Sequence, residues 1–236
     1  MKNVSFLLSA LLICFLFLGA SAQKHVTTTR PASGFTAVNI SGGIDLYITQ
    51  GTAVSVKIDA AEDIQKYIKA EVHNGTLEIY LESNNLFKWI RTNNNMKAYV
   101  TAPTLTKLNA SGGSDVYSQN VWKINELSMT ATGGSDIKFE AVGGKMDCNA
   151  TGGSDLTLRG KVADLTLNAS GGSDVNAKDL EAVNVIVSAS GGSDVSVYVT
   201  TELKANANGG SDIYYKGNPV RISKDSSGGS DITKKD

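Results

Sequence analysis

Residues 131–137 read ATGGSDI, and nearly the same seven recur as ATGGSDL from Ala150, ASGGSDV from Ala169 and Ala189, and ANGGSDI from Ala207. An earlier ASGGSDV begins at Ala110, and a worn copy, SSGGSDI, spans Ser226–Ile232. The aspartates of these copies, Asp115, Asp136, Asp155, Asp174, Asp194, Asp212 and Asp231, are separated by 21, 19, 19, 20, 18 and 19 residues. A near-constant period of that length is the signature of a solenoid, in which each unit buries its apolar face against its neighbours.

Aligned on the aspartate, the copies form columns. Seven places before it stand Leu108, Met129, Cys148, Leu167, Val187 and Ala205, and five before it a row of alanines from Ala110 to Ala207. One place after it stand Val116, Ile137, Leu156, Val175, Val195, Ile213 and Ile232. The columns between are polar, as in Asn109, Thr130, Asn149, Asn168, Ser188 and Asn206. Strict alternation is the period of a β-strand with one face buried. Each unit therefore reads as a strand, a Gly-Gly corner that accepts positive φ, a second strand and a short return. About 19 residues is too short for a strand–helix repeat. The expected fold is all-β, a right-handed parallel β-helix, the hand following the usual rule for parallel crossovers. Cys148 falls in an inward column and reads as a small buried apolar residue.

The copy FTAVNISGGIDLYI, residues 35–48, aligns on Asp45, with Ile44 in place of the usual serine. Between it and the next copy the pattern loosens. A helical period appears at Ala60–Ile68, with Ile64, Tyr67 and Ile68 on one face. Asn74-Gly75 between alternating residues signals a hairpin. Residues 23–103 are thus expected to form a less regular β-region with a short helix, capping the repeats of residues 104–236. Trp89 and Trp122 read as apolar plugs of the cap and first coil.

Ahead of all this, Lys2, an apolar run from Val4 to Leu18 and the ending Ala20-Ser21-Ala22 describe a secretory signal peptide over residues 1–22. Cys14 in that run lacks the small preceding residue that lipoprotein cleavage prefers. No later stretch approaches the ~20 apolar residues of a bilayer crossing, so no transmembrane segment is expected after cleavage. Without Lys2, 21 basic residues face 23 acidic ones, a balance that gives no reason to expect nucleic acid as partner. Cys148 is then the sole cysteine, and stability must come from packing.

The stretches GFTAVNISGGIDLYITQG, VHNGTLEIYL and KAYVTAPTLTKLNASGGSDV, followed by the later GGSD copies, resemble the auto-transporter adhesin head GIN domain family (DUF2807). The resemblance covers about residues 30–231 as one continuous domain. It implies a β-helix in the cell envelope of Bacteroidetes, in the periplasm, on the outer membrane surface or outside the cell. It brings no catalytic residues with it, and its implied partner is a surface glycan or protein.

The GGSD residues admit three readings. In the structural one, Asp and Ser cap nearby backbone N–H groups as turns do, giving outward or capping ladders. In the second, the carboxylates of Asp115, Asp136, Asp155, Asp174, Asp194 and Asp212 hold Ca²⁺, which takes six to eight oxygen ligands. The motive is repulsion, since two unit charges ~4 Å apart cost ~1 kcal/mol even in water. The match to calcium-binding nonapeptides is incomplete, because the glycine between Gly-Gly and Asp is missing. In the third, paired carboxylates act as acid and base of a carbohydrate-active enzyme. The coils hardly vary in length, so no insertions build a cleft, and a uniform row lacks the contrast that separates two carboxylate pKa values. The expectation is a non-enzymatic protein without an obligate cofactor. Tyr117, Tyr198 and Tyr214, with Tyr215, are candidate sugar contacts on a strand face beside the Asn, Ser and Thr columns.

Overall fold

The structure is a computed structural model that describes residues 24–82 and 95–235. The expected signal peptide and Trp89 lie outside the described residues. Seventeen strands form one continuous sheet wound on itself. The first nine are β1 (His25–Arg30), β2 (Ala37–Ser41), β3 (Ile44–Gln50), β4 (Ser55–Ala61), β5 (Ile68–His73), β6 (Thr76–Leu81), β7 (Met96–Ala102), β8 (Lys107–Ser111) and β9 (Val116–Ser118). Then follow β10 (Trp122–Thr132), β11 (Ile137–Thr151), β12 (Leu156–Ser170), β13 (Val175–Ser190), β14 (Asp194–Asn208), β15 (Asp212–Lys216), β16 (Arg221–Ser227) and β17 (Asp231–Lys234).

The later strands stack in parallel, each coil on the one before, in the register of the sequence columns. Met129 pairs with Leu108 and Cys148, Cys148 with Leu167, and Leu167 with Val187. All five are fully buried, and so are the alanines beside them. The parallel β-helix of about seven turns and its less regular N-terminal sheet region are therefore present. Cys148 is inside, where burial pushes its thiol pKa far up and keeps it protonated and unreactive.

Two details depart from expectation. There is no separate return: β11, β12 and β14 each run 15 residues and β13 runs 16, from one corner to the next. These strands bend without breaking, and Gly143 marks one bend. Its φ is 144°, and a Cβ there would lie 1.9 Å from the Ile124 carbonyl oxygen. Nor is Ala60–Ile68 a helix. β4 runs through Ala61, and only Gln65–Tyr67 forms a 3-10 turn. Ile64 and Ile68 are buried, but Tyr67 is exposed. The period was set by strand ends packing over the core, because a sheet neighbour satisfies the backbone there better than a single helical turn can.

The first copy is a true coil. β2 pairs in parallel with β8 and β3 with β9, across 70 residues of sequence. The chain between them closes the end. β6 and β7 lie parallel to β2 and β3 as one more imperfect coil, and antiparallel strands cover it, β5 on β6 and β1 and β7 on β4. The β5–β6 hairpin turns at Asn74 (φ 49°) and Gly75 (φ 75°), as the Asn-Gly signal predicts. Gln65, buried, donates to the carbonyls of Val26 and Ile58 and so ties β1 to β4. Trp122 is fully buried, its ring 5.9 Å from that of Phe139, as expected of a plug in the first coils.

Candidate functional site

At each corner both glycines have φ near +70°, as in Gly152 (70°) and Gly153 (71°). The chain then turns the following serine inward. Ser114, Ser135, Ser154, Ser173, Ser193 and Ser211 are fully buried, which corrects the outward reading. Each of four serines donates its backbone N–H to the hydroxyl oxygen of the serine one coil on: Ser114 to Ser135 at 3.0 Å, Ser135 to Ser154 at 3.2 Å, Ser154 to Ser173 at 3.1 Å and Ser173 to Ser193 at 3.0 Å. At the start of the row the Ile44 N–H donates to Ser114 Oγ at 3.0 Å. Ile44 itself is fully buried and faces Met96 of the neighbouring strand.

The aspartates form a second row running the other way. The N–H of Asp136 donates to Asp115 Oδ1 at 3.1 Å, that of Asp155 to Asp136 at 3.3 Å, that of Asp174 to Asp155 at 3.2 Å and that of Asp194 to Asp174 at 3.3 Å. Asp231 likewise donates to Asp212 at 3.1 Å. The caps therefore bridge coils and are not local turns. The second carboxylate oxygen points outward. Tyr117 Oη donates to Oδ2 of Asp115 at 3.2 Å, and Tyr214 Oη to that of Asp212 at 2.9 Å, while Asp155, Asp174 and Asp194 face solvent.

The strain of stacked charge shows in the carboxyls. Burial, then the neighbouring Asp115 charge, raises Asp45 above the usual carboxylate pKa, against the Asp115 backbone N–H and Lys97. Burial and the charges of Asp115 and Asp155 raise Asp136, against the Asp155 N–H and Lys138. The repulsion is thus met by an N–H of the next coil at Asp115, Asp136, Asp155, Asp174 and Asp212, by tyrosine hydroxyls at Asp115 and Asp212, and by Lys97 and Lys138 near Asp45 and Asp136. Among the described residues no group of three or more His, Cys, Asp or Glu is arranged to hold a metal ion.

The candidate tyrosines do not come together. Tyr117 and Tyr214 share an outward column, but Lys138, Thr157, Asn176 and Ser196 separate them. Tyr198 lies farther from the corner, with Lys216 Nζ 4.5 Å over its ring, and Tyr215 is turned inward and buried. Two tyrosines not singled out in the sequence complete a cluster with Tyr117. Tyr99, Tyr47 and Tyr117 stack in register, with centroids 5.2 and 5.3 Å apart. Lys97 and Lys138 lie over the Tyr47 and Tyr117 rings at 5.7 and 5.5 Å. Burial and the Asp115 carboxylate push the Tyr117 pKa up to about 12. The sequence signal was available, because Tyr47 stands two after Asp45 as Tyr117 does after Asp115. Around the corner a shallow groove of about 410 Å³ is lined by Asn39, Ser41, Glu78, Ile79, Tyr80 and Leu81.

A family model named "Putative auto-transporter adhesin, head GIN domain" (DUF2807) matches residues 34–219, most of the chain. The chain belongs to this head GIN domain family. Crystal structures share its fold. A "putative adhesin" from Bacteroides fragilis, 24% identical, superposes with a TM-score of 0.82, covering 90% of this chain and 98% of its own. A "putative lipid binding protein" from Parabacteroides distasonis, 23% identical, has a TM-score of 0.74 over 90% and 97%. A "putative adhesin" from Parabacteroides merdae, 18% identical, reaches 0.70 over the same shares. No curated protein matches the sequence. The family and these neighbours carry adhesin and binding names, not those of enzymes. Among the described residues no helix is long and apolar enough to cross a membrane.

Proposed function

We propose that this head GIN domain is an exported, non-enzymatic envelope protein that binds a surface glycan or protein along the outside of its solenoid. The observation that carries the reading is uniformity. From Asp115 to Asp231 the coils keep 18–21 residues, the corners superpose rung on rung, and no insertion builds a cleft over the carboxylates. Such a body offers long, rigid, flat faces, which suits an extended partner better than a small substrate. The interior is filled by side chains such as Leu127, Met129, Leu158 and Val187, so a lipid partner, as in the name of the Parabacteroides distasonis protein, would have to lie outside it.

The stacked Tyr99, Tyr47 and Tyr117, half-exposed beside Thr49 and Thr101, form the aromatic part of that surface. Sugar binding there would use ring edges and hydroxyls, because the ring faces are taken up by each other and by lysines. Arrayed bacterial and host glycans probed with the chain from Gln23 onward test this, with Tyr47→Ala and Tyr117→Ala as controls. Binding that both substitutions abolish is expected. Blank arrays together with an empty pull-down from intact envelopes would sink the reading.

A second reading keeps the row of outward oxygens on Asp155, Asp174 and Asp194, which neighbour one another in register about 4.8 Å apart, as a low-affinity Ca²⁺ track. Calorimetric titration of chelator-treated protein addresses it, and absence of both heat and a melting shift removes it.

A further inference from the structure

The two ends of the solenoid are built differently. The first is closed by antiparallel strands and pinned by Gln65. The last is open. Among the described residues β16 pairs only with β14 and β17 only with β15, and all seven residues of β16 are exposed. Both corner rows reach their last described rung here. Ser230 Oγ accepts the N–H groups of Gly210 and Ser211, and Asp231 gives its N–H to Asp212. Among the described residues no later rung takes the Ser230 N–H or the Asp231 carboxylate. Val220, 82% exposed, is the most exposed large hydrophobic described, and Ile222, at 48%, lies two residues on.

We propose that this end is a self-association surface, on which two copies of the chain meet tail to tail about a two-fold axis. β16 of one copy pairs antiparallel with β16 of the other. An open strand edge with exposed apolar residues is a template for such pairing. A head-to-tail contact would leave the axis unclosed and grow fibres, and the antiparallel strands over the first end deny it a parallel edge. Only the isologous contact remains.

The sequence of β16, RISKDSS, is self-complementary in that arrangement. Centred on Ser223, the pair sets Ser223 against Ser223 and Arg221 against Asp225 of the second copy, twice by symmetry. All three positions are exposed on the outer side of the strand. Arg221 is already held at the rim by Glu202, at 2.6 Å, whereas Asp225 makes no ion pair within its own chain among the described residues. Ile222 then faces Lys224 of the second copy on the inner side, closing the open lumen.

Edge lysines ordinarily block strand addition. Here two of them are drawn back. Lys224 Nζ lies 4.4 Å over the Tyr215 ring and donates to the Ile232 carbonyl, and Lys235 Nζ lies 3.2 Å over the Tyr214 ring. They cover the end of the coil without projecting across the edge.

The test places charge at the two-fold centre, where Ser223 meets itself and where Arg221–Glu202 is left intact. Light scattering coupled to size-exclusion chromatography, on the chain from Gln23 to Asp236 over a concentration series, should show wild type rising from monomer to dimer mass. Ser223→Lys and Ser223→Glu should each remain monomeric, since like charges meet directly across the strands. Mixed in equal amounts, the two variants should recover the dimer. Asp225→Arg should also be monomeric. Wild type that stays monomeric throughout, variants that dimerise as well as wild type, or a mixture that fails to associate while both variants melt like wild type would each overturn the proposal. So would oligomers larger than the dimer.

Discussion

The GGSD serine does its work as a buried acceptor. Removing the Ser154 hydroxyl leaves the Ser135 N–H without a partner in a site closed to water. Ser154→Ala is therefore expected to cost about 1–3 kcal/mol in denaturant unfolding. The aspartate behaves differently, since an amide oxygen also accepts the N–H of the next coil. Asp136→Asn removes repulsion from Asp115 and Asp155 and keeps the bond. Its unfolding free energy at neutral pH should match or exceed wild type by a fraction of a kcal/mol, after screening by water. The advantage should shrink in acid, where the neighbours protonate. Tyr117 has a pKa raised from 10.0 to about 12, so the folded state holds its proton more tightly than the unfolded chain does. Its stabilisation is complete below pH 10 and is lost as pH rises through the folded value. Thermal melts from pH 9 to 12 should fall more steeply for wild type than for Tyr117→Phe. The inward serine was legible in principle. It lies an even number of places from the inward Val, Ile and Leu, and Ile44 fills its position in the first copy. A polar side chain after two glycines masked that signal.

At the level of the corner, the two glycines serve different ends. Both need positive φ, but only the first is pressed against the coil before it. A Cβ on Gly191 would stand 3.1 Å from the Gly171 nitrogen, whereas one on Gly192 would meet nothing within 4 Å. Gly192→Ala should cost the ~1–2 kcal/mol of a left-handed alanine and little more. Gly191→Ala should cost measurably more in the same denaturant titration. Strands, corners, columns and the Asn74-Gly75 hairpin were all readable, because alternation and glycine pairs are local signals. The bent, uninterrupted strands were not. Their bends depend on close passage of neighbouring coils, as at Gly143 over Ile124, which a single coil does not encode. The same holds for Ala60–Ile68, whose apolar spacing suits a helix but whose strand ends find their backbone partners in β1 and β6.

Across the whole molecule, stability is carried from coil to coil, with a closed first end and an exposed last one. In a nearest-neighbour solenoid of this kind, opening begins where a coil has one neighbour and propagates inward. The family and its fold were legible from the repeat, and so was the existence of a cap. What the surface binds was not, because outward columns are free to vary without disturbing the stack. The GGSD rows are hydrogen bonds between coils. Native-state hydrogen exchange reads those bonds one amide at a time. The N–H groups of Ser135, Ser154, Ser173, Asp155 and Asp174 should exchange only with global unfolding, and those of Ser230 and Asp231 earlier, by fraying of the last coil. Exchange of the central corner amides at the rate of open turns would contradict that bonding.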